Sequence, residues 1–250
     1  RAAFGQLLPN VDHLPHTHDL ERNAFSRGMP EHGVEFADEL ERIVYLHDKM
    51  NVAAVIVEPV AGSTGVLPPP KGYLKRLREL CTKYGILLIL DEVVTGFGRF
   101  GSISSSEYFE CDPDIITMAK GITNGTVPLG ATFVKKEIYD AFMNGPEFGI
   151  ELMHGYTYSG HPLACAAVIG TMDTIQDNKI FENAAAMAKP LEDAVHSLKD
   201  KPFVEDIRNC GILAGIQLKD SGDPDDPGRL PREASYELFR RGVMVRYTGP

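Results

Sequence analysis

Apolar positions along the chain alternate between two periods. Phe36, Leu40, Ile43, Val44 and His47 fall three and four residues apart, which predicts a helix from Phe36 to Met50. A short continuous apolar run follows, Val52-Ala53-Ala54-Val55-Ile56-Val57, rich in β-branched residues and closed by Glu58-Pro59. That composition suits a strand buried on both faces. The helical period returns over Tyr73–Tyr84, with Leu74, Leu77, Leu80 and Cys81 on the inner face and Gly85 where a helix end favours positive φ. Further strands are predicted at Ile86–Leu90, Ile115–Met118 and Gly130–Val134, and helices at Leu163–Gln176 and Asn183–Leu198. Near Val204 a new strand pattern begins, and Gly211–Leu218 reads as half-buried. An acidic Pro/Gly loop covers Lys219–Arg229, followed by a helix over Arg232–Arg241 and a last strand over Gly242–Arg246. Residues 1 to 33, rich in Pro, His, Gly and Asn, predict irregular structure.

Strands alternating with helices predict an α/β fold with a mostly parallel sheet flanked by helices. In such sheets ligands sit at the carboxyl ends of the strands. Three polar residues stand there: Glu58, Asp91 and Lys120, each at or just after the end of an apolar run. The pattern after Phe203 predicts the start of a smaller α/β domain. The expected organisation is a large domain over 1–176, an interdomain helix region over 177–202 and part of a small domain over 203–250.

Composition narrows the field of functions. The net charge of −10 over 250 residues, with no basic run, argues against a nucleic-acid partner. No apolar stretch approaches the length of a membrane span, and the first residues carry no apolar signal-peptide core. Cys81, Cys111, Cys165 and Cys210 form no CxxC pair, which fits reduced residues of a cytoplasmic protein better than a metal or disulfide framework. His13, His16 and His18 lie in a Pro-rich segment without a completing acidic or Cys ligand, so a surface segment is the simpler reading. Gly62-Ser63-Thr64-Gly65 lacks the Gly-Lys-Ser/Thr ending of a nucleotide-binding loop. Arg99 suits a carboxylate ligand or a structural ion pair equally well. The chain lacks an initiating Met and stops beside an apparent core strand, so it is expected to be a fragment.

Two residues carry the strongest chemical signal. Asp91 follows five apolar strand residues, where burial favours the neutral acid unless a cation is near; a helix cap or an ordinary loop carboxylate is the plain alternative. Lys120 stands in Met118-Ala119-Lys120-Gly121, beyond a buried strand. A buried lysine amine has a depressed pKa and becomes a nucleophile toward aldehydes. The plain alternative is a lysine with its stem on apolar surface and its head in water.

An ordered series of motifs extends this reading. Glu58-Pro59-Val60-Ala61-Gly62, Pro70-Lys71-Gly72-Tyr73-Leu74, Asp91-Glu92-Val93-Val94-Thr95-Gly96-Phe97-Gly98-Arg99, Pro113-Asp114-Ile115, Ala119-Lys120-Gly121 and Pro128-Leu129-Gly130-Ala131 occur in turn, and His154-Gly155-Tyr156-Thr157-Tyr158-Ser159-Gly160-His161-Pro162 follows. The series resembles the class III aminotransferases, fold-type I enzymes that use pyridoxal 5′-phosphate. Phe25-Ser26-Arg27-Gly28-Met29 and Ala61–Val66 are most similar to the β-alanine or ω-amino-acid:pyruvate branch.

The resemblance implies roles. Lys120 would hold the cofactor aldehyde as a Schiff base and later shuttle the substrate proton. Asp91 would pair with the pyridine nitrogen, and Val93 would lie against one ring face. Thr157 would bind the cofactor phosphate of a neighbouring subunit in a homodimer, or in a tetramer built from dimers. Glu58 would stand on the substrate side, where family members often pair it with an arginine further along the chain. The substrates implied are a small-molecule amino donor and a 2-oxo acid acceptor; the alternatives are a racemase, decarboxylase or aminomutase of the same class, or a silent relative. The glycine/serine phosphate loop, the ring-stacking aromatic and the carboxylate-binding arginine expected of the family cannot be assigned within these 250 residues. The chain by itself is therefore expected to bind cofactor poorly.

Overall fold

A computed structural model describes residues 8–149 and 152–248. A four-stranded sheet, in the order β1 (Ala54–Val57), β2 (Leu87–Asp91), β3 (Ile115–Met118) and β4 (Ala131–Val134), forms the centre of the first part of the chain. β1, β2 and β3 are parallel; β4 returns antiparallel to β3. The crossover from β1 to β2 contains helix α3 (Tyr73–Tyr84), which buries Leu74, Leu77, Leu80 and Cys81 as the apolar spacing predicts. Gly85 ends this helix at φ 70°, and its N–H reaches back to the carbonyls of Cys81 and Thr82. Helix α2 (Glu39–His47) is preceded and followed by 3₁₀ turns (Val34–Asp38, Lys49–Asn51) and buries Leu40, Ile43 and Val44. Its fifth expected inner position, His47, instead faces outward beside Asp12.

Strand alternation separates two sheet faces. Val55, Leu88, Leu90 and Met118 point to one side and are 8%, 0%, 0% and 3% exposed; α2 and α3 cover the first three, and Met118 lies beside Gly96. The register places Ala54, Ile56, Leu87, Ile89, Asp91, Ile115, Thr117 and Val134 on the other side. There Ile56 is 63% and Val134 43% exposed. A largely parallel sheet normally has both faces covered; among the described residues this face is partly open.

The second part of the chain carries helices α5 (Pro162–Asp177) and α6 (Ile180–His196), the hairpin β5 (Val204–Cys210) and β6 (Leu213–Leu218), and helix α7 (Arg229–Arg240). Two shorter helices, α1 (Leu20–Asn23) and α4 (Lys136–Phe142), were not expected from the pattern. Both are too short to develop an apolar stripe. The strand expected at Gly242–Arg246 is not formed: residues 243–248 pair with no strand among the described residues, and an apolar run without a partner has no ladder to join. A buried ion pair joins the hairpin to the first part of the chain. Arg208 Nη1 meets Asp206 Oδ2 at 2.5 Å, with side chains 9% and 1% exposed. Arg208 also donates to the carbonyls of Gly65 (3.0 Å) and Val66 (3.2 Å), and Asp206 accepts from the Phe25 N–H (2.5 Å).

Candidate active site

Because β1, β2 and β3 are parallel, their carboxyl ends share one edge, and the predicted residues Glu58, Asp91 and Lys120 come to it. Asp91 is the last residue of β2 and stands opposite Thr117, three residues before Lys120 on the adjoining strand. The backbone continues the pairing one step further, with Glu92 N–H donating to Thr117 O at 2.8 Å.

Asp91 is half-buried, and its Oδ1 accepts from the Val93 N–H at 3.1 Å. Among the described residues no Lys, Arg or His forms an ion pair with it. Its carboxylate is thus oriented by backbone and left without a cation. Val93 is half-buried beside it. The loop after β1 closes in on the same segment: a Cβ at Gly62 would lie 3.0 Å from Val94 Cγ1, so only glycine allows this approach without a shift. Glu58, half-buried, holds that loop by accepting from the Gly62 N–H at 3.0 Å. No arginine pairs with Glu58 among the described residues.

Lys120 opens a 3₁₀ turn (Lys120–Thr123) at φ 49°, a conformation uncommon for a side chain other than Asn, Asp or His. Its side chain is exposed, which corrects the expectation of a buried amine. The reason is local. Strand burial ends with Met118, 3% exposed, the chain leaves the sheet before Lys120, and burial resumes only at Ile122. Among the described residues no carboxylate pairs with its Nζ. Thr157 is not brought to this edge by any described contact; it is exposed in the turn ahead of α5, whose helix packs against the Lys120–Thr123 turn. Arg99 is exposed, and its carbonyl accepts from Ile212 N–H at 3.0 Å.

One functional candidate escaped the sequence reading. Glu92, next to Asp91, is fully buried. Its carboxylate accepts from Ser105 N–H (2.6 Å), Ser104 Oγ (2.5 Å) and Thr95 Oγ1 (3.3 Å). Alternation along β2 was the available signal: if Asp91 points to one side, its successor points to the other, into the core.

The geometry can be set beside known proteins. The profile of the family described as aminotransferase class-III matches residues 1–250. The chain is 54% identical over 249 residues to the omega-aminotransferase of Caulobacter vibrioides, covering 100% of this chain and 56% of that protein. It is 49% identical over 253 residues to the beta-alanine–pyruvate aminotransferase of Pseudomonas aeruginosa, covering 100% of this chain and 55% of that one. The crystal structure of an amine transaminase from an uncultivated Pseudomonas species, in its PLP-bound (internal aldimine) form, superimposes with a TM-score of 0.78 at 40% identity, over 86% of this chain and 50% of the other. The chain spans little more than half the length of the curated relatives it matches. Family profile, sequence identity and strand-end chemistry converge: the chain belongs to the class III aminotransferases.

Proposed function

We propose that the protein carrying this chain transfers an amino group from an ω-amino acid such as β-alanine, or from an amine, to a 2-oxo acid such as pyruvate. The observation that carries this reading is the pair Asp91 and Lys120 at the ends of adjacent parallel strands, among the described residues an anion without a cation and an amine without a carboxylate. That donor set fits pyridoxal 5′-phosphate, the cofactor of the family. When bound, the cofactor supplies an electrophilic aldehyde and a ring that accepts electron density from the substrate carbon.

The chain's own residues would divide the remaining work. Lys120 Nζ would hold the cofactor covalently, and once displaced by substrate would move a proton from the substrate carbon. Asp91 would keep the ring nitrogen protonated, with its carboxylate already aimed by the Val93 N–H. Val93 would press on one ring face. Thr157 would bind the phosphate of a neighbouring subunit, which makes a homodimer, or a tetramer of dimers, the working unit. Glu58 would stand on the substrate side. The domain organisation proposed is a large domain over 1–176, connecting helices over 177–202 and a small domain from 203. No helix among the described residues is long and apolar enough to cross a membrane; the cytoplasm is the proposed location, with neither nucleic acid nor membrane as partner.

The test uses the full-length protein with pyridoxal phosphate. Lys120→Ala should abolish the visible absorbance of lysine-bound cofactor and lower turnover of β-alanine with pyruvate by at least about 10³-fold. Asp91→Asn should keep the absorbance and lose roughly 10²-fold in turnover, the scale of removing one preorganised electrostatic partner. Persistence of the band in Lys120→Ala would overturn the assignment. An amine panel with pyruvate as acceptor separates transamination from racemase, decarboxylase or aminomutase activity.

A further inference from the structure

Glu92 is a buried carboxylate with no cation beside it among the described residues. Such a group is costly unless hydrogen bonds compensate it, and all three of its side-chain partners come from one segment, residues 95–105. That segment is a closed loop. Gly96 N–H donates to Glu92 O (2.9 Å), Phe97 N–H to Ile103 O (2.8 Å) and Gly98 N–H to Ser102 O (2.9 Å). Its near end leans on the turn that carries Lys120. A Cβ at Gly121 would lie 2.7 Å from Phe97 Cβ and 3.4 Å from Gly96 O. A Cβ at Gly96 would lie 2.9 Å from Glu92 O, so the loop has no room for a side chain there, and 3.5 Å from Met118 Sδ, ordinary contact with the strand that leads to Lys120. Phe97 and Lys120 both take positive φ, 56° and 49°. Conformations of this kind persist only when the surroundings over-determine them.

We propose that Glu92 is a positioning residue for Lys120: its carboxylate fastens the 95–105 loop, and the loop's Gly96-Phe97 edge fixes the Lys120-Gly121 turn. The inference rests on Lys120 being the cofactor lysine. Glu92 itself touches no cofactor, since it points into the core on the side opposite Asp91. What it supplies is reach. The carboxylate must span from the end of β2 to the Ser105 N–H, and an aspartate falls one methylene short. A glutamine has the length; its oxygen serves the Ser105 N–H and its amide donates to Ser104 Oγ, which can accept.

The test compares Glu92→Gln, Glu92→Asp and the milder Ser104→Ala in the full-length protein loaded with pyridoxal phosphate. Three quantities are read: the rate of cofactor release, the pH midpoint of the visible absorbance, and the share of cofactor fixed to Lys120 by borohydride reduction. Melting of the cofactor-free protein is followed alongside. The expected order is Glu92→Gln close to wild type, Ser104→Ala intermediate, and Glu92→Asp releasing cofactor at least tenfold faster, with a displaced midpoint and less cofactor fixed to Lys120. A Glu92→Asp protein that melts earlier but keeps wild-type release and midpoint would show a purely structural role and overturn the proposal. So would Glu92→Asp matching wild type while Glu92→Gln fails, because charge rather than reach would then be the requirement. Should Glu92→Asp not fold, unchanged release and midpoint in Ser104→Ala overturn it. Lys120→Ala keeps the two readings apart: a visible band surviving there removes the cofactor lysine itself, whatever the Glu92 variants do.

Discussion

Lys120 pairs an exposed amine with a backbone bent to φ 49°. A residue held in that region costs on the order of 1–3 kcal/mol, and the turn is retained against that cost by Gly121 and Phe97 packed behind it. A second residue shows the opposite use of charge, at the far end of the sheet. Burial pushes the Asp114 carboxyl up, but the Arg78 guanidinium (2.6 Å), the Leu88 N–H (2.8 Å) and Lys135 together outweigh it and hold the group below the usual aspartate range. A carboxyl depressed in the folded state adds stability above its unfolded pKa and loses it as pH falls through its folded pKa. Asp114→Asn should therefore cost roughly 1–3 kcal/mol near neutral pH. The gap to wild type should begin to narrow below about pH 4, the range of an unfolded aspartate, and close only once the pH falls below the depressed folded value. Urea unfolding at stepped pH values measures both. Part of this scale was legible in the sequence: Asp91 and Lys120 come at or just after apolar runs, which made them candidates, and the parallel strands bring both to one edge of the sheet. The exposure of Lys120 was not, because burial at a strand end changes within two residues. Glu92 was not, because its partners Ser104 and Ser105 are ordinary loop serines until the loop closes on it.

At the level of elements, helices with a stripe of inner residues read cleanly. Leu74, Leu77, Leu80 and Cys81 decided α3, and short continuous apolar runs decided β1, β2 and β3. Elements without a long pattern, α1 and α4, were invisible, and the run Gly242–Arg246 was misleading because a strand needs a partner as well as a composition. The hairpin β5–β6 illustrates contacts that no local pattern encodes. Its Arg208 crosses to the carbonyls of Gly65 and Val66, and Val66 is a β-branched residue at φ 57°. The loop following Glu58 is thus held by a side chain some 140 residues away. Arg208→Ala should strand Asp206 as a buried charge and cost about 3–5 kcal/mol. Replacing both, as in Asp206→Leu with Arg208→Met, should cost less than the sum of the two single changes. Chemical denaturation of the four proteins gives the coupling directly.

For the molecule as a whole, the sheet presents two unequal faces. One is sealed by α2 and α3; the other leaves Ile56 and Val134 in solvent, and Asp91 stands at its end. The acid proposed to pair with the cofactor ring thus borders the face that the described residues leave open. The 250-residue chain on its own should accordingly bind pyridoxal phosphate weakly and show transamination at the limit of detection, measured by absorbance titration and a β-alanine–pyruvate assay. Robust turnover by this chain alone would contradict the prediction.

The side-by-side carboxylates Asp91 and Glu92 give the end of β2 a parity. Asp91 lies on the open face, where the cofactor is proposed to bind, and Glu92 lies in the interior, and the strand's two-residue repeat decides which is which. A single-residue deletion within Leu87–Asp91 would bring Glu92 to the place of Asp91, and a single-residue insertion would bring Asp91 to the place of Glu92; either change turns both carboxylates to the opposite face. Residues along this strand can be traded for others of similar shape, but its count cannot change by one. In an insertion-and-deletion scan of the full-length gene, β2 should be a sharp gap between tolerant loops, set by odd and even rather than by chemistry at any single position.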